Sequence, residues 1–381
     1  MKIGMLIASF LPGVAYGGVA AIAAEQAHEL ARRGHQVTVV TTTVLDPIQA
    51  KFFKGPISQM SEDGYEVLRF PSNLAVRHFS GIFSVPMVMW LQDHAQDFDL
   101  FHVHYARGLV PYLPVELLVV KGARIFLQPH GMLDRTTGPR GWLDRFVTRR
   151  HLAGAQQVFA LQPFEQAALK AISPSARISI LPNGLPHIAN APVWRATAAG
   201  ARTVLFLGRL HPRKRVLAFL EAAGILLAQR ADVAFRIVGP DGGQEAQARR
   251  RVIEMGIDKH VQFVGAVSRQ AALEEYAGAA VYVLPTESEN FSISTLEALL
   301  VGTPTVVTTS TRNLATLTAA DAVEVSQPDA PSLACAIERL LDDPALCERR
   351  SKNGRGLIDE QLNIARVVDL LESHYTRTAA T

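Results

Sequence analysis

The sequence predicts an α/β protein with two Rossmann-like, doubly wound domains that face a central cleft. Short runs rich in Val, Ile and Leu alternate with amphipathic stretches, which is the pattern of parallel strands covered on both faces by crossover helices. The alternation stops once, in a segment rich in Pro, Ala and Gly at residues 181–200, and then starts again. A chain of 381 residues is also too long for one typical domain.

The first half contains predicted strands with amphipathic helices between them. The strands are placed at residues 2–9, 36–42, 65–70, 100–104, 124–128, 156–161 and 177–181, and the helices at 18–33, 84–97 and 163–172. The first strand has an alternative, because a lysine followed by apolar residues also begins a secretory signal peptide. Its apolar run ends at Ser9, and a helix that closes at Gly34 leads into a second strand. A buried first strand is therefore favoured.

The second half repeats the pattern. Its strands are the runs TVLFLGRL, FRIVGP, VQFVG, VYVLPT and PTVVTT, its helices lie near 216–229, 244–255, 269–277 and 293–300, and further helices follow from residue 330. The predicted domains are residues 1–187 and 188–362, and a C-terminal helix in 363–381 is expected to pack back on the first domain. Ligands of such folds bind beyond the carboxyl ends of the strands, so those loops hold the candidate functional residues.

Composition argues against several classes of protein. The net charge of +3 gives no argument for a nucleic-acid partner. Cys335 and Cys347 are predicted to be ordinary helical residues of a reducing compartment, not a disulfide or a metal site. The longest apolar candidate for a membrane span, residues 109–127, is interrupted by Pro, Glu and Lys. We therefore expect a cytoplasmic protein.

A basic loop follows the first strand of the second domain. The loop RLHPRKR places Arg209 and Lys214, with two further arginines, at the carboxyl end of that strand. Cations there suit a diphosphate, and the alternative is a solvated basic turn. The next loop, VGPDGGQ, contains Gly239, where the backbone is free to approach a ligand closely. Pro-Asp-Gly is also an ordinary turn, so this loop alone is weak support.

Two glutamates flank the start of the helix after VYVLPT. The helix is predicted to begin near Ser292, where free N–H groups and the helix dipole favour an anion. Glu289 precedes the helix and Glu297 lies eight positions later within it. A carboxylate accepts hydrogen bonds from two vicinal hydroxyls, so the pair suits a sugar and a ribose. The alternatives are a capping box from Ser294 to Glu297 and an exposed charge at Glu289.

Three residues of the first domain also lie at strand ends. Gly17 and Gly18 stand between the first strand and its helix, where the backbone can approach a phosphate or a sugar. The dinucleotide fingerprint G-x-G-x-x-G is absent. His130 follows the run RIFLQ and is placed to donate to a sugar hydroxyl or to move a proton. Its alternative is a structural turn histidine.

A metal site is a further alternative for the first domain. His102 and His104 share one strand face, and with His130 they provide three imidazoles for zinc. No carboxylate ligand or general base accompanies them in the neighbouring loops. Asp97 and Asp99 resemble a D-x-D metal motif, but they precede their strand and so lie at the wrong end of the sheet. We expect no metal.

Together these residues resemble the retaining glycosyltransferases of family 4, which have the GT-B fold. The stretch from Glu289 to Glu297 is similar to the E-x7-E motif of that family, and the loop from Gly208 to Lys214 is similar to its Gly-Arg-Leu…Lys-Gly loop. Further matches in the family's order are Gly17-Gly18-Val19, His130-Gly131, Asn183-Gly184, Val238-Gly239-Pro240 and Phe263-Val264-Gly265. The resemblance covers most of the chain.

The resemblance implies a role for each matching residue. Arg209 and Lys214 would neutralise the diphosphate of a nucleotide-sugar donor, and Glu297 would hold the ribose hydroxyls. Glu289 would bind hydroxyls of the transferred sugar near C3, and His130 would contact that sugar near C6. The other residues implied in donor binding are Gly17, Gly18, Gly239, Val267, Asn290, Phe291, Ser292 and Ile293.

The resemblance also implies a mechanism. The family keeps the donor's anomeric configuration without a metal or other cofactor, and the acceptor hydroxyl attacks the face that the diphosphate leaves. Three features depart from the family pattern. Asn290 and Ser292 stand where the family has glycines, Arg215 replaces a glycine after Lys214, and Ser-Thr-Arg-Asn-Leu replaces a Gly-Gly-x-x-Glu-like segment. They concern the identity of the sugar, not the reaction class.

The acceptor is expected to be a glycan or a lipid-linked molecule, in surface polysaccharide or glycolipid synthesis. Residues 132–151 carry Trp142, Phe146 and the arginines Arg135, Arg140, Arg145, Arg149 and Arg150. A basic helix with aromatic residues suits the anionic inner leaflet of a membrane, and a solvated face is the favoured alternative. Two other functions stay open: a metal-dependent hydrolase using His102, His104 and His130, and a non-catalytic nucleotide-binding protein.

Overall fold

The computed structural model describes residues 1–13, 18–134, 138–188, 190–195 and 202–377. The chain forms two compact units, one of Met1–Pro186 with Ile364–Thr381 and one of His187–Asn363. In the described residues no helix is both long enough and apolar enough to cross a lipid bilayer.

The first unit is built on an eight-stranded sheet. Its strands, numbered along the chain, are β1 (Lys2–Leu6), β2 (Gln36–Thr42), β3 (Ser58–Met60), β4 (Glu66–Phe70), β5 (Leu100–His104), β6 (Ile125–Gln128), β7 (Gln157–Ala160) and β8 (Ile178–Ile180). They lie in the order β8-β7-β6-β5-β1-β2-β4-β3. Neighbours are parallel, except that β3 pairs antiparallel with β4. The prediction of a buried first strand is confirmed, since β1 lies inside the sheet.

The second unit has a six-stranded parallel sheet. Its strands are β9 (Arg202–Leu207), β10 (Val233–Val238), β11 (Val261–Gly265), β12 (Val281–Leu284), β13 (Thr305–Thr308) and β14 (Glu324–Ser326). They lie in the order β11-β10-β9-β12-β13-β14, which is the doubly wound order with its reversal between β9 and β12. The loops after β9 and β12 therefore flank the crevice where ligands of such sheets bind. The predicted pair of Rossmann-like α/β domains is confirmed.

Helices connect the strands of both sheets. Those of the first unit are α1 (Gly18–Arg32), α2 (Val85–His94), α3 (Leu109–Val120), α4 (Gly138–Leu143), a π-helical turn (Asp144–Thr148), α5 (Arg149–Gly154) and α6 (Pro163–Ile172). The second unit and the C-terminus add α7 (Val216–Leu227), α8 (Glu245–Glu254), α9 (Arg269–Gly278), α10 (Ile293–Val301), α11 (Leu314–Ala319), α12 (Ala330–Asp342), α13 (Pro344–Glu360) and α14 (Ile364–Arg377).

Several elements were not predicted. The helix α3 contains two prolines, Pro111 and Pro114, which in sequence argue against a helix. Packing outweighs that cost, because Val110, Val115 and Leu118 are buried in the core of the first unit. The remaining unpredicted elements are short strands. They are β3, β14 and two antiparallel ribbons, which pair Val44–Asp46 with Lys51–Phe52 and Asn73–Leu74 with Ile82–Phe83.

The C-terminal helix α14 belongs to the first unit. Val367, Val368, Leu371 and Tyr375 on one face are fully buried in the core that contains β1. On its polar side, Arg33 donates to Asp369 at 2.7 Å and to Glu372 at 2.6 Å. The apolar face anchors the helix, because exposed ion pairs contribute little by themselves.

Candidate active site

Two glycines, Gly208 and Gly239, directly follow neighbouring strands of the second unit. The amide of Gly208, after β9, donates to the Val238 carbonyl at 2.9 Å, and the amide of Gly239 donates to the Gly265 carbonyl at 2.8 Å. Gly239 has φ +138°, and a Cβ built there would lie 2.1 Å from the Gly208 oxygen. Only glycine fits this position. The backbone at Gly239 does approach another group closely, as predicted, but that group is the end of the neighbouring strand at Gly208.

The basic loop after β9 places its two predicted cations differently. Arg209 is exposed, and its methylene stem lies against Gly242. Lys214 ends a 3₁₀ turn, Pro212–Lys214, which His211 caps by accepting the Arg213 amide at 3.2 Å. The Nζ of Lys214 donates to Oε2 of Glu289, in the loop after β12. A cation and a carboxylate thus meet beside the point where the strand order reverses.

Backbone contacts hold Glu289 opposite Lys214. The Arg312 amide donates to the Glu289 carbonyl at 3.0 Å, and the Glu287 amide donates to the Arg213 carbonyl at 3.1 Å. The side chains of Lys214 and Glu289 are 23% and 21% exposed. Because both remain accessible, an arriving ligand can exchange this ion pair for contacts of its own.

The helix α10 starts one turn after Glu289. Ser292 is its N-cap and accepts the Thr295 amide at 3.2 Å. The hydroxyl of the fully buried Tyr282 donates to Ser294 Oγ at 3.0 Å and fixes this first turn against the sheet. The alternative of a capping box from Ser294 to Glu297 is wrong, because Ser294 lies inside the helix and Ser292 is the cap.

Glu297 lies in a more buried environment than Glu289. Its side chain is 13% exposed, and Arg269 Nε donates to Oε1 at 3.2 Å. Burial raises the pKa of the Glu297 carboxyl, and the nearby Arg269 guanidinium opposes that rise. Arg269 was not singled out from the sequence, since it begins α9 and reaches Glu297 only through the fold. The resulting carboxylate is accessible and weakly solvated, which suits directional hydrogen bonds from hydroxyls.

The other predicted donor-binding residues lie partly in the second unit and partly in the first. Phe291 and Ser292 are buried, Asn290 and Ile293 are partly exposed, and Val267 packs partly against the core after β11. Gly18 is the exposed first residue of α1 in the first unit. Gly17 lies outside the described residues. Whether these residues bind a donor stays a prediction.

His130 occupies a strained turn in the first unit. It follows β6 with φ +54°, a left-handed conformation that is unusual for histidine, and its side chain is buried. Its Nε2 is 2.7 Å from Nδ1 of His104, whereas its Nδ1 has no hydrogen-bond partner among the described residues. Burial lowers the pKa of His130 to about 3, so the ring is neutral near pH 7. The unused nitrogen is buried, so it meets a ligand only if the turn moves.

The three histidines do not form a metal centre. His102 Nδ1 is 2.6 Å from Tyr375 Oη and its Nε2 is 3.0 Å from Gln128 Oε1, so both ring nitrogens are already engaged. No cluster of three or more potential metal ligands exists in the described part of the chain. The alternative zinc site at His102, His104 and His130 is therefore wrong, and its hydrolase function loses its basis.

Glu165 supports the His130 turn and was missed from the sequence. Its buried carboxylate accepts the Gly131 amide at 2.5 Å and the Leu161 amide at 2.7 Å. Glu165 lies in the first turn of α6, where an acidic residue usually only serves the helix end. Its reach to Gly131 depends on the neighbouring positions of β6 and β7, which no local pattern reveals.

The basic segment of the first unit has a fixed side and an exposed side. Asp144 is buried and pairs with Arg107 at 2.7 Å. Trp142 and Phe146 are 71% and 59% exposed, and Arg145, Arg149 and Arg150 are also exposed. Arg135 lies outside the described residues. Contact of this face with a membrane stays a prediction.

Arg215 stands where the family pattern has a glycine after Lys214, and its backbone conformation shows what that glycine provides. It has φ +55° and ψ +45°, the left-handed conformation that glycine adopts without strain. We expect Arg215→Gly to raise the free energy of unfolding by about 1 kcal/mol. For a unit of this size the midpoint should rise by about 2–4 °C in thermal unfolding followed by circular dichroism.

Arg213→Gly is the control for this change. Arg213 lies in the 3₁₀ turn without a positive φ, so glycine there should lower the unfolding midpoint. Equal effects of the two changes would contradict the explanation.

Comparisons with known proteins cover most of the chain. Residues 17–184 match the model of a glycosyl transferase 4-like domain, and residues 195–357 match that of glycosyl transferases group 1. A D-inositol 3-phosphate glycosyltransferase of Mycolicibacterium smegmatis is 29% identical over 241 residues, which cover 61% of this chain and 53% of that protein. The chain thus spans about half the length of this relative.

Solved structures show the same fold over the whole chain. Sucrose-phosphate synthase from Thermosynechococcus elongatus superposes with a TM-score of 0.76 at 20% identity, covering 100% of this chain and 99% of the other. Anabaena HepE in complex with UDP-glucose superposes with a TM-score of 0.74 at 15% identity, covering 99% and 100%. At these identities the likeness concerns architecture alone.

Proposed function

Because the chain belongs to the family 4 glycosyltransferases and has their GT-B fold, we propose that it is a retaining hexosyltransferase. Its donor is a nucleotide-diphosphate sugar, and its acceptor is a glycan or a lipid-linked molecule. Transfer needs no metal or other cofactor. The reaction takes place in the cytoplasm and serves surface polysaccharide or glycolipid synthesis.

The observation that carries the proposal is the meeting of Lys214 and Glu289 just before a helix start. Their loops follow β9 and β12, the two strands at which the sheet order reverses. The amides at the start of α10 precede its first i to i−4 hydrogen bond, from Leu296 to Ser292 at 3.1 Å. A cation, a carboxylate and amides of a helix start thus lie together, and they can serve a diphosphate and sugar hydroxyls at once.

Donor binding then works by exchange of partners. In the free chain Lys214 and Glu289 neutralise each other. A diphosphate offers Lys214 a second anion, with the exposed Arg209 as a further cation, and Glu289 becomes available to sugar hydroxyls. When the bond to the anomeric carbon breaks, negative charge grows on the leaving diphosphate. Cations and amides already aimed at it stabilise that charge without reorganisation.

Glu297 and His130 have separate proposed roles, each argued from its own unit. The partly buried Glu297 carboxylate, paired with Arg269, accepts hydrogen bonds from the ribose hydroxyls. The neutral His130 ring is held by His104 and, through Gly131, by Glu165, and its unpartnered Nδ1 is buried in the free chain. We propose that this nitrogen meets a sugar hydroxyl once the donor is bound. With its pKa near 3, His130 does not serve as an imidazolium acid near neutrality. An acceptor proton passes instead to an oxygen of the leaving diphosphate.

The donor can be identified by thermal-shift screening, beginning with UDP-glucose and continuing with GDP- and ADP-sugars. At a ligand concentration of 100 times Kd, the correct donor should stabilise the protein by about 2.7 kcal/mol. Incubation with that donor and membrane or glycan extracts should then yield a product whose anomeric proton, by NMR, has the donor's configuration. EDTA should not slow the transfer. Inversion at the anomeric carbon would refute the mechanism, and donor binding without transfer to any acceptor would favour the non-catalytic alternative.

A further inference from the structure

A cavity of about 630 Å³ lies within the first unit, and none of the predicted donor-binding residues lines it. It opens beyond the carboxyl ends of β1 and β5, the neighbouring strands at which the order of this sheet reverses. Ala8 comes from the first of these loops, and Ala106 and Gly108 come from the second. The cavity therefore occupies the position where doubly wound sheets bind ligands, and its size suits a small molecule.

Apolar side chains line most of the cavity. Its larger apolar lining residues are Phe79, Leu109, Pro111, Met132 and Leu143, and its polar ones are His78, Ser80, Arg107 and Tyr112. Among the described lining residues there is no carboxylate, carboxamide or lysine. A hexose ring needs several hydrogen-bond partners for its hydroxyls, because burying an unpaired hydroxyl is costly. The lining is thus poorly suited to a bare sugar and well suited to hydrocarbon.

The polar groups of the lining are largely engaged with the protein itself. Arg107 donates to Asp144 at 2.9 and 2.7 Å and to the carbonyls of Met132 and Asp134 at 3.1 and 2.7 Å. The hydroxyl of Tyr112 is 2.9 Å from Thr148 Oγ1. Because Asp144 already neutralises the Arg107 guanidinium, the cavity does not present an uncompensated cation for a phosphate.

We propose that this cavity binds the aliphatic chain of an amphiphilic acceptor. The inference rests on the proposed function only in assigning the chain to an acceptor. Leu109, 37% exposed, continues the apolar lining to the surface, and the exposed Trp142 adjoins the lining residue Leu143 in the sequence. An aliphatic chain longer than the cavity can continue over these side chains, whereas a single aromatic ring would leave them uncovered. Lipid-linked acceptors are therefore favoured over free glycans.

The test measures binding of alkyl glucosides to the full chain by isothermal titration, below their micelle-forming concentrations. Affinity should rise roughly fourfold per methylene from hexyl to octyl glucoside, as expected for buried CH₂ groups. Methyl glucoside should bind far more weakly, and phenyl glucoside should bind more weakly than octyl glucoside. An affinity independent of chain length, or phenyl glucoside binding as tightly as octyl glucoside, would overturn the proposal.

Two variants place the effect in the cavity. Leu109→Glu puts a charge at the rim and should weaken octyl glucoside binding by about tenfold. Leu113→Glu, on the same helix at 49% exposure but outside the lining, is the matched control and should bind as the wild type does. Ala106→Phe should narrow the cavity and weaken octyl glucoside binding. Equal binding by the Leu109 and Leu113 variants would mean adsorption elsewhere and would contradict the proposal.

The donor assay separates this inference from the proposed function. Leu109→Glu should leave the thermal shift with the nucleotide sugar unchanged, because Leu109 is none of the residues assigned to donor binding. Chain-length-dependent binding in a protein that never transfers sugar would uphold the cavity assignment and refute the enzyme. Transfer to short-chain and long-chain acceptors with equal kcat/KM would leave the enzyme intact and refute the cavity assignment.

Discussion

Glu289→Gln is expected to lower the rate of sugar transfer by about 10²- to 10⁴-fold, which is the range for losing one well-positioned charged group in an active site. Glutamine keeps the shape of the side chain, but it loses the charge that pairs with Lys214 and accepts sugar hydroxyls. The fold should be unaffected, because backbone groups hold the Glu289 loop at Arg312 and Arg213. The measurement is kcat/KM for the donor identified by thermal shift, together with the unfolding midpoint.

Glu287→Gln is the control for this change. Glu287 lies in the same loop with an exposed side chain, and the substitution removes the same charge two residues away. We expect it to retain nearly full activity. If the Glu289 and Glu287 variants transferred sugar equally well, the carboxylate at 289 would have no part in the reaction.

Gly239→Ala is expected to lower the stability of the second unit by about 4 kcal/mol or more, among the largest effects of single substitutions. The added Cβ would lie 2.1 Å from the backbone oxygen of Gly208, and neither backbone can shift without breaking hydrogen bonds between strand ends. In urea unfolding followed by circular dichroism, the transition of this unit should occur at a lower urea concentration than in the wild type. Donor binding should fall as well, because Gly208 leads directly into the basic loop.

Gly243→Ala separates steric overlap from backbone strain. Gly243 lies in the same loop with φ +100°, but a Cβ there would meet no atom within 4 Å. Its substitution should lower the free energy of unfolding only by the strain of an unusual backbone conformation, about 1–3 kcal/mol. A loss of stability for Gly243→Ala as large as that for Gly239→Ala would show that overlap with Gly208 does not matter.

Much of the fold was predictable because each strand carries its own signal. The apolar runs of β1, β2 and β9 are largely buried on both faces, so hydrophobic continuity alone identifies them. The helix α3 was not predictable in this way, because Pro111 and Pro114 give a local signal that tertiary packing overrides. Short strands at the edges of the sheets, such as Ser58–Met60, carry too few apolar residues to be recognised.

The candidate site was predictable where a residue directly follows a strand. Lys214 and Glu289 were both identified at strand ends, and the fold brings them into contact. Partners that reach the site from other elements were not identified. Arg269 meets Glu297 from α9, and Glu165 meets Gly131 from α6. The helix start near Ser292 was predicted, and the backbone conformation excludes the alternative cap at Ser294.

The most direct test of the account compares a nucleoside diphosphate with its monophosphate. With the base of the identified donor, the wild-type chain should bind the diphosphate about 10²- to 10⁴-fold more tightly in isothermal titration, since charge-assisted contacts to Arg209 and Lys214 contribute about 1.5–3 kcal/mol each. The double variant Arg209→Ala, Lys214→Met should bind both nucleotides alike. A double variant that keeps the full preference for the diphosphate would contradict the assignment of the phosphate site to these two cations.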